Sequence, residues 1–194
     1  MFHELEEYAK ENHVPIMLPD GIEYLTNYIK ENNIKNILEL GTAIGYSAIR
    51  MCSVSEDIKV TTIERNKDMY DKALENIHKY NLEDRINVIF GDALDVEVEG
   101  IYDLIFIDAA KSQYIKFFEK YSVLLNDNGV IVTDNLNFHG LREKKNEIES
   151  KNLRSMMNKL DNYIDFLKEN KNYQTTFLSI GDGIGITRRV IWKK

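Results

Sequence analysis

Short apolar runs alternate along the chain with longer stretches in which apolar positions recur every three or four residues. The runs are Asn36–Leu40, Lys59–Ile63, Ile86–Phe90, Tyr102–Ile107 and Gly129–Thr133. Continuous rather than alternating, they predict strands buried on both faces, as in a parallel sheet with crossover helices. The periodic stretches predict helices at about 2–11, 20–32, 45–53, 67–80, 112–124 and 142–170. Asn66 stands where it can cap the helix starting at 67, and Asp127-Asn128-Gly129 predicts a turn before the fifth strand. The tail differs: Tyr173–Ile180 and Ile184–Trp192 flank Gly181-Asp182-Gly183, the pattern of an antiparallel hairpin. The expected fold class is α/β: a seven-stranded, mostly parallel sheet with a C-terminal antiparallel hairpin and helices on both faces. No linker or repeat interrupts it, so residues 1–194 read as one domain, with 1–33 supplying N-terminal helices and a lid segment.

Composition narrows the function classes. A chain of 194 residues with net charge -7 and pI about 5.2 is not a general nucleic-acid coat, though a local basic face remains open. The charge is uneven: residues 1–33 hold seven acids against Lys10 and Lys30, whereas 142–171 hold eight basic and six acidic residues. Cys52 is the only cysteine and sits among apolar neighbours, which excludes an internal disulfide and fits a buried thiol in a reducing cytoplasm. No apolar run approaches the ~20 residues of a membrane span, so a cytoplasmic protein with no membrane partner is expected.

The first chemical signal is Glu39-Leu-Gly41-Thr42-Ala43-Ile-Gly45-Tyr-Ser47, a glycine-containing turn after the first strand. Gly41 allows close approach of a ligand and Gly45 lets the next helix begin beside it. Glu64 ends the second strand 23 residues after Gly41, where an acid can accept from both hydroxyls of a ribose. Gly91-Asp92-Ala93 ends the third strand, where an acid can meet an adenine amino group or merely cap a helix. Ala43 occupies the place of the second glycine in a dinucleotide fingerprint, which disfavours a pyrophosphate and hence NAD. S-adenosylmethionine has no phosphate, and Glu39 offers a carboxylate to its methionine end. The segment Val14-Pro15-Ile16-Met17-Leu18-Pro19 is stiffened by both prolines of the chain and reads as a rigid loop or as a lid over the cofactor.

The second signal lies at two other strand ends. Asp108 and the pair Asp134-Asn135 each follow an apolar run, and carboxyl ends of strands are where open α/β sheets bind ligands. Two carboxylates and an amide form an oxygen-only set that suits a Mg²⁺ ion retaining room for substrate oxygens. Lys111, three positions after Asp108, can take a proton beside such an ion. Taken singly, Asp134-Asn135 is also an Asx turn and Lys111 a solvated helix start.

These blocks together resemble the class I methyltransferases. Within them, Ile105-Phe-Ile-Asp108-Ala-Ala-Lys111-Ser-Gln-Tyr114 and Val130-Ile-Val-Thr-Asp134-Asn135 are similar to the Mg²⁺-dependent O-methyltransferases of the catechol and caffeoyl-CoA group. The likeness runs from Val14 to Arg189. It implies a Rossmann-like fold, S-adenosyl-L-methionine and Mg²⁺ as cofactors, Asp108, Asp134 and Asn135 as metal ligands and Lys111 as the catalytic lysine. It also implies cofactor contacts at Glu39, Ser47, Glu64, Ala93 and Asp108, with Ile16 or Met17 closing the pocket from the lid. Ile16-Met17, the Gly41–Arg50 block and Asp108-Ala-Ala-Lys111 with Gln113-Tyr114 look most like the bacterial tRNA 5-hydroxyuridine methyltransferases. That branch implies methylation of the wobble uridine of a tRNA anticodon loop to 5-methoxyuridine. An acidic protein would meet the tRNA phosphates locally, and by charge the candidates are Arg142, Lys144, Lys145, Lys151 and Arg154, then Arg188 and Arg189, although that helix reads equally as a mixed-charge solvated face. A small catechol-like or caffeoyl-CoA-like acceptor is the alternative; a non-catalytic nucleotide-binding module would need none of Asp108, Lys111, Asp134 and Asn135. The chain departs from the branch at Asn137 and His139, and starts about one helix short of the family's usual N-terminus, a helix that often serves a homodimer. His139 reads equally as a residue of the substrate mouth and as an exposed loop residue. Asp182 reads as a turn residue with a substrate-contacting alternative.

Overall fold

The computed structural model describes residues 2–137 and 150–190. Seven strands form one sheet in the order β3-β2-β1-β4-β5-β7-β6. Strands β1 (Asn36–Leu40), β2 (Lys59–Glu64), β3 (Ile86–Phe90), β4 (Tyr102–Ile107) and β5 (Leu125–Thr133) are parallel. The terminal pair β6 (Tyr173–Leu178) and β7 (Ile184–Arg189) is the expected hairpin, with β7 inserted antiparallel beside β5. The helices are α1 (His3–Glu11), α2 (Pro19–Glu31), α3 (Tyr46–Cys52), α4 (Lys67–Lys79), α5 (Tyr114–Tyr121) and α6 (Lys151–Glu169).

The continuous apolar strands are explained by a core on each face. Ile37, Leu104, Phe106, Val130 and Val132 meet α1–α4 residues such as Leu25, Ile29, Ile49 and Ile77. Leu38, Leu40, Ile105, Ile107 and Ile131 meet Tyr114, Phe117 and Tyr121 of α5 and Leu160, Tyr163 and Leu167 of α6. Adjacent residues therefore serve opposite cores, which is why the strands read as nearly continuous apolar runs. Asn66 caps α4 as expected, accepting from the Met69 amide at 3.0 Å.

Three boundaries differ from the sequence reading. Strand β5 starts at Leu125, so Asp127-Asn128-Gly129 lies within it. Pairing passes from Tyr102↔Leu125 to Leu104↔Val130, so the turn signal is used as an irregularity that holds extra residues inside the strand. The helix expected over 112–124 is a short α5 between 3-10 turns at Lys111–Gln113 and Ser122–Leu124. Of the helix expected over 142–170, α6 supplies Lys151–Glu169; residues 138–149, with His139, Arg142, Lys144 and Lys145, lie outside the described residues, as do Ile191 and Trp192.

The strand order reverses between β1 and β4, so their carboxyl ends diverge into a crevice, the usual ligand position in such sheets. The two ends are laced together: the Asp108 amide donates to Leu40 O at 3.0 Å and the Asp134 amide to Ile107 O at 3.2 Å. Gly41 passes so close to this lacing that a Cβ would sit 2.2 Å from Asp108 O, and its φ is +97°. A side chain would face both a clash with backbone and an unfavourable dihedral. Gly41→Ala should cost at least about 2 kcal/mol of stability, read from a denaturant midpoint. An unchanged midpoint would show that the turn can relax.

Candidate active site

The crevice opens into a cavity of about 670 Å³, within the range of small-molecule sites. Most of the residues singled out from the sequence line it: Ile16, Met17, Gly41, Thr42, Ser47, Glu64, Asp92, Ala93, Asp108, Lys111 and Asn135. Pro15 to Leu18 form one wall, so the proline-stiffened segment covers the cavity rather than merely joining α1 to α2. Three residues stand behind the lining. Gly45 caps α3 in the left-handed region at φ 84°, Glu39 is fully buried beneath the turn, and Asp134 lies under Asn135.

At the cofactor end, Glu64 is held by two amides: Ala43 N–H on Oε2 and Asn66 N–H on Oε1, both at 2.8 Å. Each oxygen keeps a second lone pair for a ligand hydroxyl. Ala43 adopts φ 46°, and its N–H, which a phosphate would require, is committed to Glu64. That commitment argues against a dinucleotide on this turn. Asp92 lines the cavity and also organises its own loop, taking Leu94 N–H at 2.9 Å and Arg65 at 3.3 Å. Lys120 and Tyr121 brace the same loop through the carbonyls of Leu94, Val96 and Ala93. Tyr46, also in the lining, donates to Glu6 at 2.7 Å and accepts from Arg50 at 2.8 Å, which fastens α1 to the cavity wall.

At the other end, carboxylates crowd together. Burial and the nearby Asp108 push Asp134 up to about 7. Asp108 is likewise raised by burial, against the pull of Lys111. Asp134 is 1% exposed and its Oδ1 is buried with no hydrogen-bond partner. A buried acceptor left in this way is costly unless something cationic completes it. Asn135 follows at φ +60°, strain of the kind functional sites retain, and its Oδ1 accepts from Lys111 Nζ at 2.8 Å. Among the described residues no three His, Cys, Asp or Glu side chains converge as a metal cluster. The donor set is two carboxylates with an amide, which with the orphaned Asp134 oxygen fits a hard divalent cation.

Two further residues belong here. Asp182, read from the sequence as a turn residue with a substrate-contacting alternative, is 3% exposed and accepts from Asn135 Nδ2 at 3.3 Å. Because β7 is antiparallel, the turn before it returns to the carboxyl edge, where Leu136 and Asn137 amides bind Gly183 O and Asp182 O. Tyr114, fully buried, donates to Asp134 O at 3.2 Å, and burial with the two carboxylates holds its phenol protonated. Its place three residues after Lys111 was the available signal. The hairpin turn is also fastened to the lid: Asp20, at the start of α2, accepts Gly181 N–H and Gly21 N–H, each at 3.0 Å.

The antiparallel course of β7 also carries Arg188 and Arg189 away from the site. Arg188 lies opposite Val130, at the far end of the β5–β7 pairing from Thr133, and binds Tyr28 and Asn32; Arg189 binds the carbonyls of Ser122 and Leu125. Neither lines the cavity. Lys151 and Arg154 lie in the first turn of α6.

The O-methyltransferase family profile matches residues 1–190. The chain belongs to this family. A curated member, tapetum-specific methyltransferase 1 of Arabidopsis thaliana, is 30% identical over 195 residues, spanning 96% of this chain and 83% of that one. A Staphylococcus aureus protein with the working name caffeoyl-CoA O-methyltransferase superposes with TM-score 0.93 at 42% identity, over 97% of this chain and 92% of that one. An O-methyltransferase from Bacillus cereus, solved with S-adenosylhomocysteine, gives TM-score 0.83 at 26% identity, over 97% and 90%. Glu64, Asp108 and Asp134 stand at the carboxyl ends of β2, β4 and β5, with β1 between the first two. Among the described residues no helix is long and apolar enough to cross a membrane.

Proposed function

We propose that this protein transfers the methyl group of S-adenosylmethionine to one of two adjacent oxygens on a small catechol-like phenol, with Mg²⁺ held between protein and acceptor. The observation that carries the reading is the partnerless buried oxygen of Asp134, set beside Asp108 and Asn135 at the edge of a cavity whose other end is Glu64. Asp108, Asp134 and Asn135 would hold the cation. Its chemistry, when bound, is to fix both acceptor oxygens and lower the pKa of the attacking hydroxyl. Lys111, at the rim of that site, takes the hydroxyl proton on Nζ in its neutral amine form, having first given its own ammonium proton to solvent. The oxygen lone pair forms the new O–CH₃ bond as the S–CH₃ bond breaks, and the sulfonium leaves as a neutral thioether. Glu64 anchors the ribose, and the Pro15–Leu18 wall excludes water and keeps the methyl in line.

The 5-hydroxyl and 4-oxo oxygen of 5-hydroxyuridine present a similar chelating pair, so tRNA is the competing acceptor. The small-phenol reading is favoured because relatives are named for caffeoyl-CoA and because Arg188 and Arg189 face away from the crevice. The test is transfer of labelled methyl to a catechol, to caffeoyl-CoA, to a monophenol and to hydroxyuridine-containing tRNA. Vicinal diphenols should be methylated and the monophenol not. A specificity constant for tRNA orders of magnitude above both diphenols would replace this reading with the anticodon one.

A further inference from the structure

One buried carboxyl is untouched by this mechanism. Glu39 has no exposed surface, and its contacts are two hydroxyls. Ser47 Oγ lies 2.5 Å from Oε1 and Thr62 Oγ1 2.5 Å from Oε2. Thr62 Oγ1 lies in turn 2.6 Å from Thr42 Oγ1. Ser47 and Thr42 line the cavity, while Glu39 and Thr62 do not. The four groups form one chain under the cavity floor, ending in Ser47, 8% exposed, and Thr42, 1% exposed, both of which border the cavity.

Counting protons along this chain leaves two arrangements. With Glu39 ionised, Ser47 and Thr62 both donate into it and Thr42 donates to Thr62. Every hydroxyl proton then points inward, and the floor presents only lone pairs. With Glu39 protonated, its O–H must donate to Thr62 or to Ser47. The displaced proton moves outward, and Thr42 or Ser47 becomes a donor to the cavity. One proton in the core thus sets whether the floor accepts or donates.

Resting on the methyltransferase reading above, we infer that Glu39 is a positioning residue whose proton is expelled when S-adenosylmethionine binds, switching the floor to its acceptor form beneath a cationic ligand. The environment is poised for this. Burial pushes Glu39 up to about 8 against the two hydroxyl donors, and the carboxylates facing it are Asp108 at the end of β4 and Glu64 at the end of β2. Burial thus favours the neutral carboxyl in the empty cavity, and a ligand whose sulfonium and ammonium outweigh its one carboxylate favours the ion.

Calorimetric titration with S-adenosylmethionine at pH 7, in buffers of differing ionisation enthalpy, counts the proton. The wild type should release more protons than Glu39→Gln, and its affinity should rise up to about tenfold per pH unit below 8, a slope the variant lacks. Comparing the two cancels protons that belong to the ligand's own amine. S-adenosylhomocysteine, which has no sulfonium, should release fewer. Should the variant not fold, the wild type still decides: no proton release and a flat affinity between pH 6 and 8 overturn the inference. Binding with equal proton counts in both proteins also overturns it, leaving the methyltransferase reading intact. Failure of the wild type to bind the compound at all removes both.

Discussion

Asp134→Asn should abolish methyl transfer, yet raise the melting temperature of the metal-free protein at pH 8. Both effects come from one oxygen. The wild-type carboxyl is raised to about 7 by burial and by Asp108, and its Oδ1 has no partner. A folded-state pKa above the unfolded value means the fold favours the protonated form. Stability from this group is present at acid pH and lost as pH rises through the folded pKa near 7. A shift of this size corresponds to a few kcal/mol, of which the asparagine escapes the greater part. Melting curves in chelator should fall between pH 5 and 8 for the wild type and stay flatter for Asp134→Asn. Added Mg²⁺ should restore the wild type alone. Equal melting curves, or undiminished turnover by Asp134→Asn, would remove Asp134 from the proposed metal site. Affinity for S-adenosylmethionine should change little, because the cofactor end of the cavity is built from other strand ends.

Lys111→Met should lower turnover by about 10²–10⁴, the range for a positioned proton acceptor, with cofactor affinity unchanged. Methionine keeps length and apolar bulk while removing the amine. In the metal-free protein Lys111 donates to Asn135 Oδ1, an oxygen the cation would also claim. Loss of the ammonium should therefore strengthen divalent binding even as catalysis falls, measurable by direct titration with Mn²⁺. A variant with lowered turnover and weakened metal affinity would recast Lys111 as a structural prop. Turnover at the wild-type rate would return it to an ordinary surface lysine.

The strand ends were legible because each apolar run stops where the chain leaves the two cores. That is why Gly41, Glu64, Asp92, Asp108 and Asn135 could be placed around one crevice before any contact was known. What periodicity does not carry is which loop returns over the crevice. Asp182 sits between two glycines, a composition that by itself describes a turn; the antiparallel course of β7 is what brings it to Asn135. The same strand direction removed Arg188 and Arg189 from the mouth, although their charge alone had suggested otherwise. Thr62 was hidden for a different reason. It looks like one more β-branched strand residue, and only the register of β1 against β2, which pairs it with Glu39, reveals its hydroxyl as a link in a chain. The Asp127-Asn128-Gly129 signal was real as local chemistry but was absorbed by the pairing of β4 with β5.

The joint made by Asp20 matters for anyone who would reshape this protein. It ties an amide contributed 161 residues later, that of Gly181, to the first turn of α2, and the two glycine backbones nearly touch there. The segment walling the cavity and the turn beside Asn135 are thus one mechanical piece assembled from distant parts of the chain. A chimera that imports a new N-terminal segment from a relative inherits a mismatched seat unless the hairpin turn travels with it. Libraries aimed at new acceptors should vary the two stretches as linked blocks.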